Sequence, residues 1–136
     1  MLIVDAGPLY AAAATADRNH RRSVELLTGA EPPLMVPALV VTEGCYLLAD
    51  RIGAHAEAAF ALSIAAGELL VEPVLDSDWR RIAELSAQYA DLPLGVVDAS
   101  VVVAAERQRA TTIATLDHRH FSVVRPSHTA SFTLVP

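Results

Sequence analysis

Short apolar segments that alternate with helical stretches constrain the fold of this chain more than any other feature of its sequence. Six such segments are predicted to be strands: Leu2–Val4, Leu34–Val36, Leu69–Val71, Thr112–Ala114, Val123–Val124 and, at an edge of the sheet, Phe132–Val135. Parallel strands need a crossover connection, usually a helix, so this alternation indicates an α/β protein. We therefore predict a three-layer α/β/α sandwich around a mainly parallel sheet of four to five strands.

Proline and glycine bound the predicted helices. Pro8 is expected at the first position of the first helix, because its fixed φ angle suits that position. Further helices are predicted over His20–Gly29, from Pro37 to about Ile52, over Ala54–Ala66 and after a cap at Asp76. The run VVDASVVVAAERQ has the consecutive valines of a strand, but it is too long for a typical strand and is predicted to be a helix.

Length and composition indicate one folded domain, residues 1–136. Hydrophobic residues make up 53% of the chain and charged residues 19%, which excludes a disordered chain. The apolar fraction exceeds the usual ~45–50%, as expected if a second subunit or a partner covers part of the surface. No apolar run reaches the ~18–20 residues of a membrane helix, the first residues lack the pattern of a signal peptide, and Cys45 is the only cysteine. We expect a cytoplasmic protein.

The formal net charge is −6, and every basic residue except histidine is an arginine. An acidic domain without lysine is not typical of proteins that bind duplex nucleic acid, which usually carry a basic face. A nucleic-acid enzyme is still possible, because bound divalent cations can reverse the local field.

Four carboxylates interrupt apolar sequence. Asp5 and Asp117 come just after predicted strands, Glu43 lies early in the helix PALVVTEGCYLL, and Asp98 interrupts VVDASVVV. Each aspartate taken singly is explained as a turn former or a helix cap, whereas a solvated glutamate would be unexpected at Glu43. Together they point to a site, because the carboxyl ends of parallel strands share one edge of the sheet.

These acids share a predicted buried context with no basic residue beside them in the sequence. Buried like charges repel, so some would be protonated unless a cation neutralised them. Carboxylate oxygens suit Mg²⁺ or Mn²⁺, and we expect one or two ions at this site. Two ions some ~4 Å apart could activate water and stabilise the leaving oxygen of a phosphodiester. The five histidines lack metal-ligand spacing, although His118 and His120 follow Asp117 closely and could contribute. No serine lies in a G-x-S-x-G turn, so a catalytic serine is not expected.

The four acidic segments, in chain order, resemble the motifs of PIN-domain ribonucleases, and most closely those of the VapC toxins of bacterial toxin–antitoxin pairs. The segments are IVDAGPLYA, VTEGCYLLADRIG, LPLGVVDASVVVAAE and IATLDHRHF, and with the chain's length they extend the resemblance over nearly the whole sequence. Position 7 departs from the family pattern, because it is Gly7 where Ser or Thr is frequent.

The resemblance implies an endoribonuclease that uses Mg²⁺ or Mn²⁺ to cut a structured cellular RNA, such as a transfer or ribosomal RNA. It implies that Asp5 and Asp98 are the main metal ligands, that Glu43 and Asp117 complete the site, and that Thr115 supports it. It also implies a homodimer and inhibition by a small VapB-type antitoxin. The arginines Arg18, Arg21, Arg22 and Arg119 are explained equally well as a solvated surface or as contacts to RNA phosphates.

Two other functions fit parts of the sequence. A phosphoryl-transfer domain of the haloacid-dehalogenase type also begins with an aspartate after its first strand. That chemistry needs a second aspartate where this chain has Gly7, and it normally needs a lysine, which is missing here. In a non-catalytic binding module, the four acids would only cap helices.

Overall fold

Twelve strands and helices follow one another along residues 1–136, all of which are described by a computed structural model. The strands are β1 (Leu2–Val4), β2 (Leu34–Pro37), β3 (Leu70–Glu72), β4 (Thr112–Ala114) and β5 (Thr133–Val135). The helices are α1 (Ala6–Ala13), α2 (His20–Gly29), α3 (Ala38–Arg51), α4 (Ala54–Ala65), α5 (Asp78–Gln88), α6 (Val96–Gln108) and α7 (His118–Val123).

The five strands form one all-parallel sheet in the order β3-β2-β1-β4-β5. Strand β1 lies at the centre, where Ile3 pairs with Met35 of β2 on one side and with Ile113 of β4 on the other. Ile3 and Val4 are completely buried, as expected for a parallel sheet covered by helices on its faces. The predicted α/β sandwich with a parallel sheet is confirmed.

Helix α6 is the most buried helix of the molecule. Every residue from Ala99 to Ala105 is buried, and the helix contacts β1, β2, α3 and α5. Burial of a valine side chain contributes roughly 1.5–3 kcal/mol, so the run of valines from Val101 to Val103 stabilises a helix that is apolar on all sides. The sequence VVDASVVVAAERQ is therefore helical, as predicted, despite the strand propensity of its valines.

The predicted strand at Val123–Val124 is wrong. Val123 is the last residue of α7, and Val124 is the residue that follows it. The helix forms because Asp117 accepts a hydrogen bond from the backbone of His120 at its start, and because Phe121 and Val124 are both fully buried. The fifth strand is β5, within the predicted edge strand Phe132–Val135.

Several predicted boundaries also differ from the structure. Pro37, predicted to start a helix, is the last residue of β2 and the N-cap of α3. Strand β3 starts at Leu70, one residue later than predicted, and α1 starts at Ala6, which places Pro8 at the third helical position. Asp76 does not cap α5, whose N-cap is Ser77. A carboxylate oxygen of Asp78 instead accepts a hydrogen bond of 2.8 Å from the backbone N–H of Leu75, which closes the turn before the helix.

Charged and polar side chains hold the C-terminal end of α6 against β3 and α5. Arg107 donates hydrogen bonds to the buried carboxylate of Glu72, to the carbonyl oxygen of Pro73 at 2.7 Å and to Asp78 at 3.1 Å. Gln108 donates to the second oxygen of Glu72 at 3.0 Å. Because each buried carboxylate has a charged or polar partner, the network fixes the position of α6 along the sheet.

None of the seven helices has both the length and the apolar composition needed to cross a membrane.

Candidate active site

The order of the strands creates a crevice at the carboxyl ends of β1 and β4. The chain proceeds from β1 outward to β2 and β3, and then crosses back to form β4 on the opposite side of β1. Connections that leave two neighbouring strands in opposite directions open a cleft between them, and ligands of parallel α/β proteins bind at this point. Asp5 follows β1 there, and Thr115 follows β4.

Asp5 and Thr115 are linked by a hydrogen bond across this crevice. Thr115 is fully buried, and its hydroxyl donates a hydrogen bond of 2.9 Å to Oδ2 of Asp5. The same hydroxyl oxygen accepts a hydrogen bond of 3.0 Å from the backbone N–H of Asp117. Oδ1 of Asp5 accepts from the N–H of Ala6 at 2.8 Å, so this carboxylate is also the N-cap of α1. One threonine thus fixes two of the predicted site residues.

Helices α3 and α6 bring the other two acids to the same place. The pocket at the crevice is lined by Asp5, Ala6, Gly7, Glu43, Leu47, Asp98, Leu116 and Asp117. Asp98 is the third residue of α6, whose N-cap is Gly95, so its side chain is not the cap of that helix. All four predicted acids therefore line one pocket.

The expectation that all four acids are buried is wrong. Only Asp5 is buried, with 7% of its surface exposed. Asp98 and Asp117 are half-buried, and Glu43 is exposed on the outer wall of the pocket. The apolar residues around Glu43 in the sequence misled the prediction, because α3 buries only one side of that segment.

Three of these carboxyl groups have raised pKa values. Burial is the main cause of the raised pKa of Asp5, and hydrogen bonds from Ala6 and Thr115 oppose it. Partial burial, followed by the charge of Asp5, raises the pKa of Asp98 to about 6. Glu43 keeps one side in solvent but loses part of its solvation against the pocket, and this loss, followed by the charges of Asp5 and Asp98, raises its pKa. The acids therefore repel one another, and at Asp98 the neighbouring His120 opposes this repulsion only in part.

A histidine that the sequence singled out only weakly lies beside these acids. Nδ1 of His120 is 2.5 Å from Oδ2 of Asp117 and 3.5 Å from Oδ2 of Asp98. Proximity to Asp117 in the sequence was its only signal, because the approach to Asp98 depends on where the fold places α7 relative to the start of α6. His118, on the same short helix, is exposed and has no part in this group.

The donor set of the pocket fits a divalent cation. No arginine forms an ion pair with any of the four acids. Elsewhere in the molecule, arginines do pair with acidic residues, namely with Glu25, Glu72, Asp78 and Glu106. Asp98, Asp117 and His120 each offer a ligand atom, and these atoms lie within 4.8 Å of one another. Carboxylate-rich sites of this kind favour hard divalent ions that retain some of their water.

The space beside Gly7 is filled by a neighbouring side chain. A Cβ atom at this position would lie 3.3 Å from Cβ and Cγ of Leu116, which is tighter than ordinary contact. A side chain at position 7 would therefore require Leu116 to shift by a few tenths of an ångström. Gly7, which stands where the family often has Ser or Thr, therefore allows Leu116 to pack closely against the backbone.

The four arginines that could contact RNA phosphates differ in their surroundings. Arg18 precedes α2, and with Arg22 it lines a second pocket that shares Leu116 with the acidic pocket. Arg21 points elsewhere and pairs with Glu25 at 2.9 Å on the exposed side of α2. Arg119 is exposed on α7, two residues after Asp117. Arg18, Arg22 and Arg119 therefore carry positive charge close to the acidic pocket.

The fold and the pocket together define an α/β domain with an acidic, metal-type site at the switch point of a parallel sheet. The family model of the PIN domain matches residues 2–125. Ribonuclease VapC26 from Mycobacterium tuberculosis is 35% identical over 135 residues, covering 99% of this chain and 100% of that protein. The chain therefore belongs to the PIN-domain family, among the VapC ribonucleases.

Solved structures show the same fold. VapC20 from Mycobacterium tuberculosis, described as a toxin that cleaves the sarcin-ricin loop, matches with a TM-score of 0.81 at 20% identity. The match covers 87% of this chain and 91% of VapC20. FitAcB from Neisseria gonorrhoeae matches with a TM-score of 0.61 at 16% identity, over 100% of this chain and 97% of that chain.

Proposed function

We propose that residues 1–136 form a single PIN domain that acts as a toxin by hydrolysing phosphodiester bonds in RNA, with Mg²⁺ or Mn²⁺ as its cofactor. The observation that carries this proposal is the meeting of Asp5, Glu43, Asp98 and Asp117 in one pocket without an arginine partner. A site of this composition is stabilised by binding one or two divalent ions, and an RNA backbone needs such ions to approach clustered carboxylates.

Within this site, Asp5 and Asp98 are the main metal ligands, and Glu43 and Asp117 complete the coordination and orient water. When bound, the cation lowers the pKa of a water molecule and stabilises the negative charge that develops on the phosphodiester. Thr115 positions Asp5 and Asp117 through its two hydrogen bonds, of 2.9 and 3.0 Å.

The substrate we propose is a structured cellular RNA, a transfer or ribosomal RNA. VapC20, described as cleaving the sarcin-ricin loop, supports this substrate class. Proteins that read RNA sequence mostly bind exposed loops, which a surface pocket such as this one can accept. Arg18, Arg22 and Arg119 lie where they can contact the phosphates that flank the cleaved bond.

We further propose a homodimer that a small VapB-type antitoxin neutralises in the cytoplasm. Large apolar side chains on the surface, among them Tyr46, Leu62 and Trp79, support partners that cover them. The mass of the purified protein in solution, measured by light scattering, tests the dimer, and a monomer at all concentrations contradicts it.

Cleavage of cellular RNA by purified protein tests the proposed function. Asp5→Asn and Asp98→Asn should each abolish cleavage in Mg²⁺ or Mn²⁺ and keep the fold, while Asp76→Asn, at an exposed acid outside the pocket, should cleave like the wild type. Mapping of RNA 5′ ends after brief induction, with Asp98→Asn as the control, would identify the target. Undiminished cleavage by both pocket variants at saturating metal would refute the proposal.

The non-catalytic binding module is the remaining alternative. It predicts that calorimetric titration detects no Mn²⁺ binding and that the wild type cleaves no RNA. The phosphoryl-transfer alternative is excluded, because the chain belongs to the PIN-domain family.

A further inference from the structure

His120 is placed where a ligand of the proposed cation would be. Its Nδ1 atom, with Oδ2 of Asp98 and Oδ2 of Asp117, belongs to the one group of side chains whose ligand atoms converge within 4.8 Å. That span is comparable with the width of one ion's coordination shell, about twice a metal–oxygen distance of 2.0–2.2 Å.

Nδ1 of His120 faces two carboxylate oxygens of the pocket without forming a regular hydrogen bond to either of them. Nδ1 of His120 is buried and has no hydrogen-bond partner, although Oδ2 of Asp117 is only 2.5 Å away. The two atoms approach each other without the alignment of an N–H donor and a carboxylate acceptor. A cation bound by this nitrogen together with the carboxylates of Asp98 and Asp117 would give the buried nitrogen a partner.

The backbone of His120 has a separate function. Its N–H donates a hydrogen bond of 3.2 Å to Oδ1 of Asp117, the oxygen that does not face the imidazole. Asp117 therefore has one oxygen committed to the start of α7 and the other directed towards His120 and the pocket. The backbone hydrogen bond accounts for the capping of this helix, and the imidazole makes a separate approach to Oδ2 of Asp117.

We propose that Nδ1 of His120 is a nitrogen ligand of the divalent cation bound by Asp98 and Asp117, and that it makes this site prefer Mn²⁺ to Mg²⁺. This inference rests on the proposed metal-dependent function. Mg²⁺ binds oxygen ligands and water almost exclusively, whereas imidazole is a good ligand for first-row transition metals. Carboxylates suit both ions, so the imidazole would be the ligand that adds discrimination between them.

Pulsed electron paramagnetic resonance of Mn²⁺ bound to the full chain tests the ligand directly. Wild-type protein and His118→Ala should show modulation from a coordinated ¹⁴N nucleus, which changes when the histidines are labelled with ¹⁵N. His120→Ala should lose that modulation and retain bound Mn²⁺ and the backbone hydrogen bond to Asp117. A wild-type spectrum without nitrogen coupling, or one unchanged in His120→Ala, would overturn the inference and leave the metal site itself intact. Absence of any Mn²⁺ binding would refute the proposed function as well.

Competition titrations supply the second readout. The affinity of His120→Ala for Mn²⁺ should fall at least about tenfold, since even the partners of metal ligands have effects of that size. Its affinity for Mg²⁺ should change much less, and His118→Ala should leave both affinities unchanged. An equal loss of affinity for the two ions would mean that the imidazole only positions Asp117, and would contradict the inference.

Discussion

At the scale of single residues, the candidate site depends on a few side chains that each make two contacts. Asp5 caps α1 and faces the pocket, and Thr115 both donates a hydrogen bond to Asp5 and accepts one from Asp117. A carboxylate at the end of a buried strand is costly unless it is paired, which explains why a fully buried hydroxyl lies beside it.

Replacement of Thr115 by valine should weaken metal binding. The valine keeps the shape of the side chain and removes both hydrogen bonds, so Asp5 and Asp117 lose their mutual alignment. Loss of such a supporting group typically lowers metal affinity by about 10–100-fold. Thr115→Ser, which retains the hydroxyl, should bind Mn²⁺ nearly as well as the wild type in calorimetric titrations. Equal affinities for the valine and serine variants would contradict this role.

Asp98 should make the metal-free protein less stable as the pH rises. Its pKa is 3.8 when unfolded and about 6 when folded, so between these values the folded chain binds more protons. Stability therefore falls as the pH rises through this window. In EDTA, Asp98→Asn should be more stable than the wild type at pH 7.5 by on the order of 2 kcal/mol, and this advantage should shrink towards pH 4. Urea unfolding at both pH values measures the difference, and a pH-independent difference would be the contrary result.

The four acids could be predicted from sequence because each interrupts an apolar segment at a strand end or in a helix. His120 could be predicted only weakly, because its approach to Asp98 depends on where the fold places α7 relative to the start of α6. The exposure of Glu43 was also missed, since neighbouring apolar residues do not reveal which side of a helix is covered.

At the scale of the elements, α6 carries both a site residue and the main structural polar network. Asp98 lies in its first turn, and Arg107 near its end bonds to Glu72 and Asp78. The helix was predicted correctly because thirteen residues are too many for a typical strand. The false strand at Val123–Val124 has the opposite cause, because two valines fit the end of a short helix as well as they fit a strand. Asp117, read as a residue after a strand, also starts that helix.

Loss of Arg107 should destabilise the fold strongly. Arg107→Met preserves much of the side-chain length and leaves the buried carboxylates of Glu72 and Asp78 without their cation. Removal of one partner from a buried ion pair costs about 3–5 kcal/mol. Arg125→Met, at an exposed arginine without an ion pair, is the matched control and should change stability little. Chemical denaturation compares the two, and similar small effects would show that the network contributes little.

At the scale of the whole molecule, the proposed function requires a protein with a net negative charge to bind RNA, which is itself a polyanion. The net charge of −6 opposes RNA binding. The positive charges of Arg18 and Arg22 beside the pocket are therefore needed to attract the phosphates of the RNA. The sequence did not predict which arginines carry a free positive charge, because the position of an arginine in a helix does not show whether a glutamate neutralises it.

The salt dependence of RNA binding should distinguish these arginines. In a cleavage-deficient Asp98→Asn background, Arg18→Gln with Arg22→Gln should reduce the slope of log affinity against log salt by about 0.7 for each phosphate that the variant no longer neutralises. Arg21→Gln, whose side chain pairs with Glu25, should leave the slope unchanged. Fluorescence anisotropy with a single-stranded RNA oligonucleotide at several salt concentrations gives the slopes. A comparable reduction in Arg21→Gln would contradict the assignment.

The backbone N–H of Thr115 donates a hydrogen bond of 2.8 Å to the carbonyl oxygen of Val135 in β5. The hydroxyl group that aligns Asp5 and Asp117 is therefore held in place by a strand that the ribosome makes more than a hundred residues after Asp5. Central strand β1 likewise has no β4 neighbour until residues 112–114 have left the exit tunnel. The candidate site therefore cannot assemble on an emerging chain until residues 112–135 have been synthesised and have left the exit tunnel.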